Sequence, residues 1–463
     1  MMYDALIIGA GVSGLAAGIR LAYFDRRVCI VEQHSAIGGL NSYYRLRGRN
    51  FDVGLHAITN FVTQEARFHP LPRLLRQLRL NLSDWHLAPQ TESVIAFPDV
   101  QLRFSNEPEL LFSEVARAFP GQQDALRRLV DALLDYNQWE SPAFALSARQ
   151  RLAELIDDPL LREMLLCPVM WYGNSRQGDM DWGQFCILFR SIFLEGLARP
   201  AEGIRLILRT LVRRYRSLGG ELRLRSAVRR VCIEQQRAVG VELANGEFLP
   251  AQRILSSAGW CETLQLCGLP APADELAGRL SFLETIALLD RPCHQWGHHR
   301  TMVFFNEATE FRWENPAEKL CDLHTGVICA PENFRYSEQE QSHVQPSIRV
   351  TVLANYQAWS QLPADQYYRE KAHWQNQILD KATRWTGDFR PFVVDTDTFT
   401  PKTIHHYTWH LGGAVYGSPR KHLDGRTPVP NVFICGTDQG LVGIVGAMTS
   451  GVTIANRYCL QDA

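Results

Sequence analysis

The chain has 463 residues, 46% of them hydrophobic, which is enough to bury at least two cores, and a formal charge of −1, which gives no electrostatic reason to bind nucleic acid. It lacks the long apolar run of a transmembrane helix, and its first residues lead directly into an apolar strand, so neither a membrane span nor a signal peptide is expected. Eleven Cys residues, an odd number without a Cys-x-x-Cys pair, argue against a disulfide framework or a structural zinc site and make the cytoplasm the default location.

The run Ala5–Ile8 predicts a buried parallel strand, and Gly9-x-Gly11-x-x-Gly14 turns it into a helix patterned by Leu15, Ile19 and Leu21. Gly9 permits the tight turn, Gly11 lets a pyrophosphate approach the backbone, and Gly14 allows helix and strand to pack closely. The helix N-terminus then stabilises the negative charge. Glu32, after the second apolar run Val28–Val31, is spaced as a ribose-binding carboxylate. Next come Gly38-Gly39-Leu40-Asn41 and Phe51-Asp52-Val53-Gly54-Leu55-His56. Residues 76–198 read as mostly helical, with little strand signal. Ile204–Leu218 predicts a helix stopped by Gly219-Gly220, and Glu221–Leu224 and Ala227–Val231 follow as strand-like runs. Residues 239–249 predict a hairpin with Asn245-Gly246 as a type I′ turn, and Arg253–Gly259 returns to the first sheet. Residues 263–419 combine strands such as Ile348–Leu353 with a helix near 365–386. The chain closes on the strand Asn431–Cys435 and the helical pattern of Gly443–Gly451.

The two ends together resemble the FAD-binding superfamily of flavin amine oxidases, and within it the phytoene desaturase, carotenoid isomerase and retinol saturase group. That resemblance implies an α/β fold with a Rossmann-like FAD-binding domain (1–75, 199–262 and 420–463). A discontinuous α+β substrate domain (76–198 and 263–419) completes the architecture. It further implies that FAD is held at its pyrophosphate by Gly9, Gly11, Val12, Ser13 and Gly14, at its adenosine end by Glu32, Gln33 and Val228, and at its ribityl chain by Gly38, Gly39, Leu40, Asn41, Gly436 and Asp438. Gly443, Ile444 and Val445 then lie near the flavin ring. The chain departs from the pattern at Asp438, which falls one residue later than the acidic residue of many relatives, and at Gln439–Gly443, which replaces a Pro-Gly-Gly-rich stretch.

A flavin exchanges electrons as a hydride, so the protein has mainly to position a substrate C–H against it and exclude water. The resemblance implies an isoprenoid, carotenoid-like or other long apolar lipid undergoing desaturation, saturation or isomerisation. A flavin amine oxidase, or a non-catalytic prenyl-binding escort like the Rab GDP-dissociation inhibitors, are the alternatives. His56 is the candidate for proton transfer or polarisation, and Tyr416 for a wall of the substrate tunnel. The histidine groups 294, 298, 299 and 405, 406, 410 have no Glu spaced as in His-Glu-x-x-His, and their aromatic neighbours suggest strands and loops, so no metal is expected. Ten arginines in 199–230 mark either a core-docked helix with a solvated basic face or a peripheral contact with anionic lipid. The apolar stretches Leu160–Trp171 and Phe185–Leu197 supply an entrance or form core helices. No second Gly-x-Gly-x-x-Gly turn appears for a nicotinamide cofactor, which leaves the electron acceptor open.

Overall fold

The computed structural model describes residues 2–61, 69–136, 146–271 and 277–461. Two seven-stranded sheets organise them. The first has the order Val228–Glu234, Arg237–Leu243, Phe248–Ser256, Tyr3–Ile8, Val28–Val31 and Glu221–Arg223, with Val432–Ile434 also paired to Phe248–Ser256. Tyr3–Ile8 runs parallel to both Val28–Val31 and the second half of Phe248–Ser256. Parallel strands are covered on both faces, which is why these segments read as unbroken apolar runs rather than alternating ones. The helices Val12–Tyr23, Ile204–Ser217 and Gly443–Tyr458 cover one face and share a core that includes Leu15, Ile19, Ile207, Tyr215, Val452 and Ile454.

Two glycines set the geometry of the first turn. Gly9 has φ +95°, and a Cβ on Gly14 would lie 2.2 Å from the Gly9 carbonyl oxygen, so any side chain at Gly14 would push the helix off the strand. The helix Gly443–Tyr458 crosses the first helix as closely, because a Cβ on Gly451 would lie 2.1 Å from the Ser13 carbonyl oxygen.

The hairpin Arg237–Leu243/Phe248–Ser256 forms with a different turn from the one expected. Of Asn245 and Gly246 only Gly246 has positive φ, and its N–H donates to the Leu243 carbonyl at 2.9 Å. This is a type I turn followed by a left-handed glycine, whereas type I′ needs positive φ at both central residues.

The second sheet has the order Val393–Phe399, Ser281–Leu289, Ser347–Ala354, Cys321–Cys329, Met302–Asn306, Ser93–Phe97 and Val100–Phe104. Its last two strands correct the helical reading of 76–198. Ser93–Phe97 is a fully buried run of five residues, too short to display a period, and it pairs in parallel with Met302–Asn306. Leu87–Pro89 is a further short strand, paired with Ala198–Pro200, and the helices among the described residues of that segment include Pro108–Ala118, Gln123–Asp135, Ala148–Leu155, Pro159–Gly173 and Trp182–Phe189. Pro159–Gly173 and Trp182–Phe189 are buried core helices. Ser281–Leu289 alternates between two cores. Phe282, Ile286 and Leu288 face the core shared with these helices, and Leu283, Ala287 and Leu289 face the one covered by Ala364–Thr386.

Candidate active site

At the carboxyl ends of the first sheet's parallel strands lies a groove of about 980 Å³. Its floor is the first turn, Gly9, Gly11, Val12 and Ser13, and its sides include Glu32, Gln33, Gly38, Gly39, Leu40, Asn41, Val228 and Gly436. The helix Val12–Tyr23 begins without a side-chain cap, which leaves its first N–H groups available to an anion. A bridge between Gly11 and Gly38 brings the second glycine pair alongside. Glu32 is buried, and its two carboxylate oxygens accept from the backbone N–H groups of Ala10 (2.9 Å) and His34 (3.0 Å), which hold it at the groove's edge.

The groove adjoins a second space, a chamber of about 1,050 Å³, and Leu40, Asn41, Thr437 and Ala447 line both. The chamber's walls come mostly from the second sheet and its helices, and are mainly apolar: Trp171, Tyr172, Phe282, Met302, Phe304, Val327, Phe399 and Ile404. Gly443 and Ile444, at the start of the last helix, close it on the groove side. An apolar cavity of this size with a few convergent polar groups is the usual form of a small-molecule site.

Besides Asn41, Thr437 and the hydroxyls of Tyr172 and Tyr416, the polar groups of its wall are His56, Glu284 and Thr351. His56 Nε2 lies 3.1 Å from Thr351 Oγ1 and 3.5 Å from Glu284 Oε2, and its Nδ1 is buried without a partner. Arg349 grips Glu284 from the neighbouring strand, with Nε 2.8 Å from Oε1 and Nη2 on the same oxygen. Arg349 Nη1 also donates to the Leu55 carbonyl, where it meets Arg199, which donates to the Leu55 and His56 carbonyls and pairs with Asp52 at 2.8 Å. Burial works to raise the Glu284 carboxyl, but the Arg349 guanidinium outweighs it and holds the group at about 2. Burial lowers His56 below its ordinary value, helped by Arg349 and opposed by Glu284, so the imidazole is neutral at neutral pH.

The family model for flavin containing amine oxidoreductases matches residues 12–458. The chain belongs to that family. It is a FAD-dependent oxidoreductase, and the uncapped helix, the paired glycines and the buried Glu32 fit that cofactor. The chain is 23% identical to the all-trans-retinol 13,14-reductase of Danio rerio, covering 99% of this chain and 87% of that one. It is 24% identical to the chloroplastic prolycopene isomerase of Daucus carota, covering 100% of this chain and 76% of that one. An oxidoreductase from Methanosarcina mazei shares the fold with a TM-score of 0.67 at 14% identity, over 98% of this chain and 100% of that one.

Three residues that the resemblance assigns to the flavoprotein's cofactor line neither the groove nor the chamber. Gly14 serves the strand-helix packing described above. Val445 is buried beneath the last helix, where Ile444 and Ala447 face the chamber instead. Asp438 is held by the protein itself. Its carboxylate accepts from the backbone N–H groups of Trp260 (2.6 Å) and Ser418 (2.7 Å) and faces Lys421 at 3.9 Å, so it ties the loop after Tyr416 to the turn while Thr437 lines the groove. Tyr416 lines the chamber, and its hydroxyl donates to the Trp171 carbonyl. Burial raises its phenol above the ordinary value.

The structure adds residues that the motifs did not indicate. Tyr407, Thr408, Trp409 and His410 lie along the groove at the end of the helix Pro401–Thr408. That helix also corrects the strand-and-loop reading of His405 and His406. His410 Nδ1 lies 3.6 Å from Glu262, and His298 is buried against Arg300 and His299; among the described residues no three His, Cys, Asp or Glu side chains gather as a metal site. Of the ten arginines in 199–230, Arg199 and Arg205 face Asp52, Arg209 faces Glu202, Arg223 faces Glu247, and Arg229 and Arg230 face Glu242. Among the described residues no helix is long and apolar enough to cross a membrane.

Proposed function

We propose that this flavoprotein moves a hydride and a proton across a carbon–carbon bond of an isoprenoid or another long apolar lipid, by desaturation, saturation or double-bond isomerisation. The observation that carries the reading is the adjacency of the dinucleotide groove and an apolar chamber across Leu40, Asn41, Thr437 and Ala447, where a flavin ring and a substrate C–H would meet. The flavin, when bound, supplies the hydride acceptor or donor. Segments 1–75, 199–262 and 420–463 hold it for the most part, with Tyr407–His410 beside it, and 76–198 and 263–419 supply most of the chamber's apolar wall.

Trp171, Phe282 and Phe304 exclude water from the reacting carbons. Neutral His56, with Thr351 and Glu284 beside its Nε2, is the group at the chamber wall to take up a proton or, once protonated, to return it. Tyr416 acts as a wall, its hydroxyl proton committed to Trp171. The amine-oxidase alternative is weakened because the chamber's Glu284 already has a cationic partner in Arg349. Arg213, Arg216 and Arg225 are exposed, and they support a weak, salt-sensitive contact with an anionic membrane from which an apolar substrate is drawn.

Incubating the FAD-loaded protein with isoprenoid lipids and weighing the products by mass spectrometry tests the reading. A gain or loss of two hydrogens, or a new isomer of unchanged mass, supports it. No product from any isoprenoid, together with aldehyde formation from amines, would overturn it.

A further inference from the structure

The dinucleotide groove carries an imbalance of charge. An FAD pyrophosphate brings two negative charges and Glu32 adds another at the groove's edge, yet among the described residues no Lys or Arg lines the groove. The uncapped N–H groups and the dipole of the helix Val12–Tyr23 offset part of that charge. The one basic side chain among the described lining residues is His410.

The surroundings of His410 suit a cation. Its side chain is 10% exposed, and Nδ1 lies 3.6 Å from Oε1 of the buried Glu262, an oxygen fixed in place by the Leu411 N–H at 2.7 Å. Nε2 has no partner among the described residues and is not sealed off. A Cβ on Gly259 would lie 3.1 Å from the ring's Cε1, which sets the ring beside Ser257–Gly259, and the Ser257 hydroxyl donates to the Ile8 carbonyl at 2.9 Å where the first turn begins. The charged groups that face His410 are Glu262 from the helix Trp260–Leu266, Asp438 from the turn after Val432–Ile434, and Lys421 from the loop after Tyr416, while His405 on the preceding helix turns its Nδ1 to the His410 carbonyl. Burial works to lower His410, but Glu262 and Asp438 outweigh it, against a smaller opposing effect of Lys421, and hold the imidazole above its ordinary 6.5.

We propose that His410, backed by Glu262, donates a charge-assisted hydrogen bond to the FAD pyrophosphate, the part that Lys or Arg commonly plays at a phosphate. Cofactor retention then depends on pH. FAD is held while the imidazole is charged and loosens as pH rises past the value His410 has in the empty groove, since the pyrophosphate keeps its own charge throughout. This role is independent of the substrate that the chamber takes.

Fluorescence titration of the full-length apoprotein with FAD, from about pH 6 to about pH 9, tests it. The dissociation constant of the parent is expected to rise about tenfold to a hundredfold over that range, the loss of a charged hydrogen-bond donor, and His410→Gln to bind weakly and equally at every pH. Lys421, lowered by burial to about 8 against the pull of Asp438, titrates in the same window, so Lys421→Met is measured alongside and is expected to keep the parent's profile. A pH dependence that survives in His410→Gln, or that disappears in Lys421→Met, would assign the effect to Lys421 and overturn the proposal. An affinity that does not change with pH in the parent would overturn it whether or not either variant folds.

Discussion

Replacing Glu284 by Leu should destabilise the protein far more than removing its partner at the same time. The Glu284 and Arg349 side chains are 4% and 2% exposed, and Arg349 spends two of its nitrogens on one Glu284 oxygen. With the carboxylate gone, Arg349 keeps only the Leu55 carbonyl, and a buried guanidinium without its counter-ion costs about 3–5 kcal/mol. The double variant Glu284→Leu/Arg349→Met removes both charges. Leu55 retains Arg199 as a donor and His56 retains Thr351, so no new buried group is left bare. That variant should recover to within about 2 kcal/mol of the parent, a coupling of the size expected for residues in contact. Urea unfolding at a fixed excess of FAD gives the comparison, because cofactor binding shifts apparent stability by mass action. A Glu284→Leu variant within about 1 kcal/mol of the parent, or a double variant as unstable as the single, would refute the reasoning.

Three further outcomes follow from the same structure. Glu32→Ala should weaken FAD retention about tenfold to a hundredfold, the cost of losing a charged hydrogen-bond acceptor, and fluorescence titration of the apoprotein would measure it; an unchanged affinity would remove Glu32 from the cofactor site. Stability should fall on acidification in two stages. Native His56 stays neutral while the unfolded chain takes up a proton below its ordinary 6.5, and Glu284, ordinary value 4.5, must be protonated on the way down to its folded value of about 2. Melting temperature against pH should therefore drop below about 6.5 and more steeply below about 4.5, the second stage being shallower in the double variant, in which Glu114, also held at about 2, remains; equal slopes in parent and double variant would contradict the assignment. NADPH should not bleach the flavin within milliseconds in a stopped-flow mixing experiment, because the chain shows no second glycine-rich strand-turn-helix to hold it.

The cofactor half of the site was legible because its residues act locally. Gly9, Gly11 and Gly14 work within one turn, and Glu32 sits at the end of the adjacent strand, so spacing along the chain is spacing in the fold. The chamber's polar wall was not legible in the same way. Glu284 and Arg349 are separated by 65 positions and meet only through antiparallel register, in which Glu284 faces Thr351 and Ile286 faces Arg349. A signal was nonetheless present, since each is a lone charge in the middle of a fully buried apolar strand, Ser281–Leu289 and Ser347–Ala354, and such a charge needs a partner. Asp438 lies one residue later than the familiar pattern has its acidic residue, and its carboxylate is taken up by the backbone N–H groups of Trp260 and Ser418, 178 and 20 positions away, with Lys421 opposite, contacts that leave no local signal. The strand Ser93–Phe97 was missed because its pairing partner, Met302–Asn306, lies some 200 residues away and five residues carry no period of their own.

The central claim is that a flavin at the mouth of an apolar chamber exchanges hydrogen with an isoprenoid carbon chain. Anaerobic mixing of the FAD-loaded protein, in its oxidised and its chemically reduced forms, with an isoprenoid alcohol and with primary amines tests it directly by following flavin absorbance. Bleaching of the oxidised form, or recovery of colour by the reduced form, with the isoprenoid and not with the amines is the predicted result. Rapid bleaching by an amine, with no response in either form to the isoprenoid, would contradict the account.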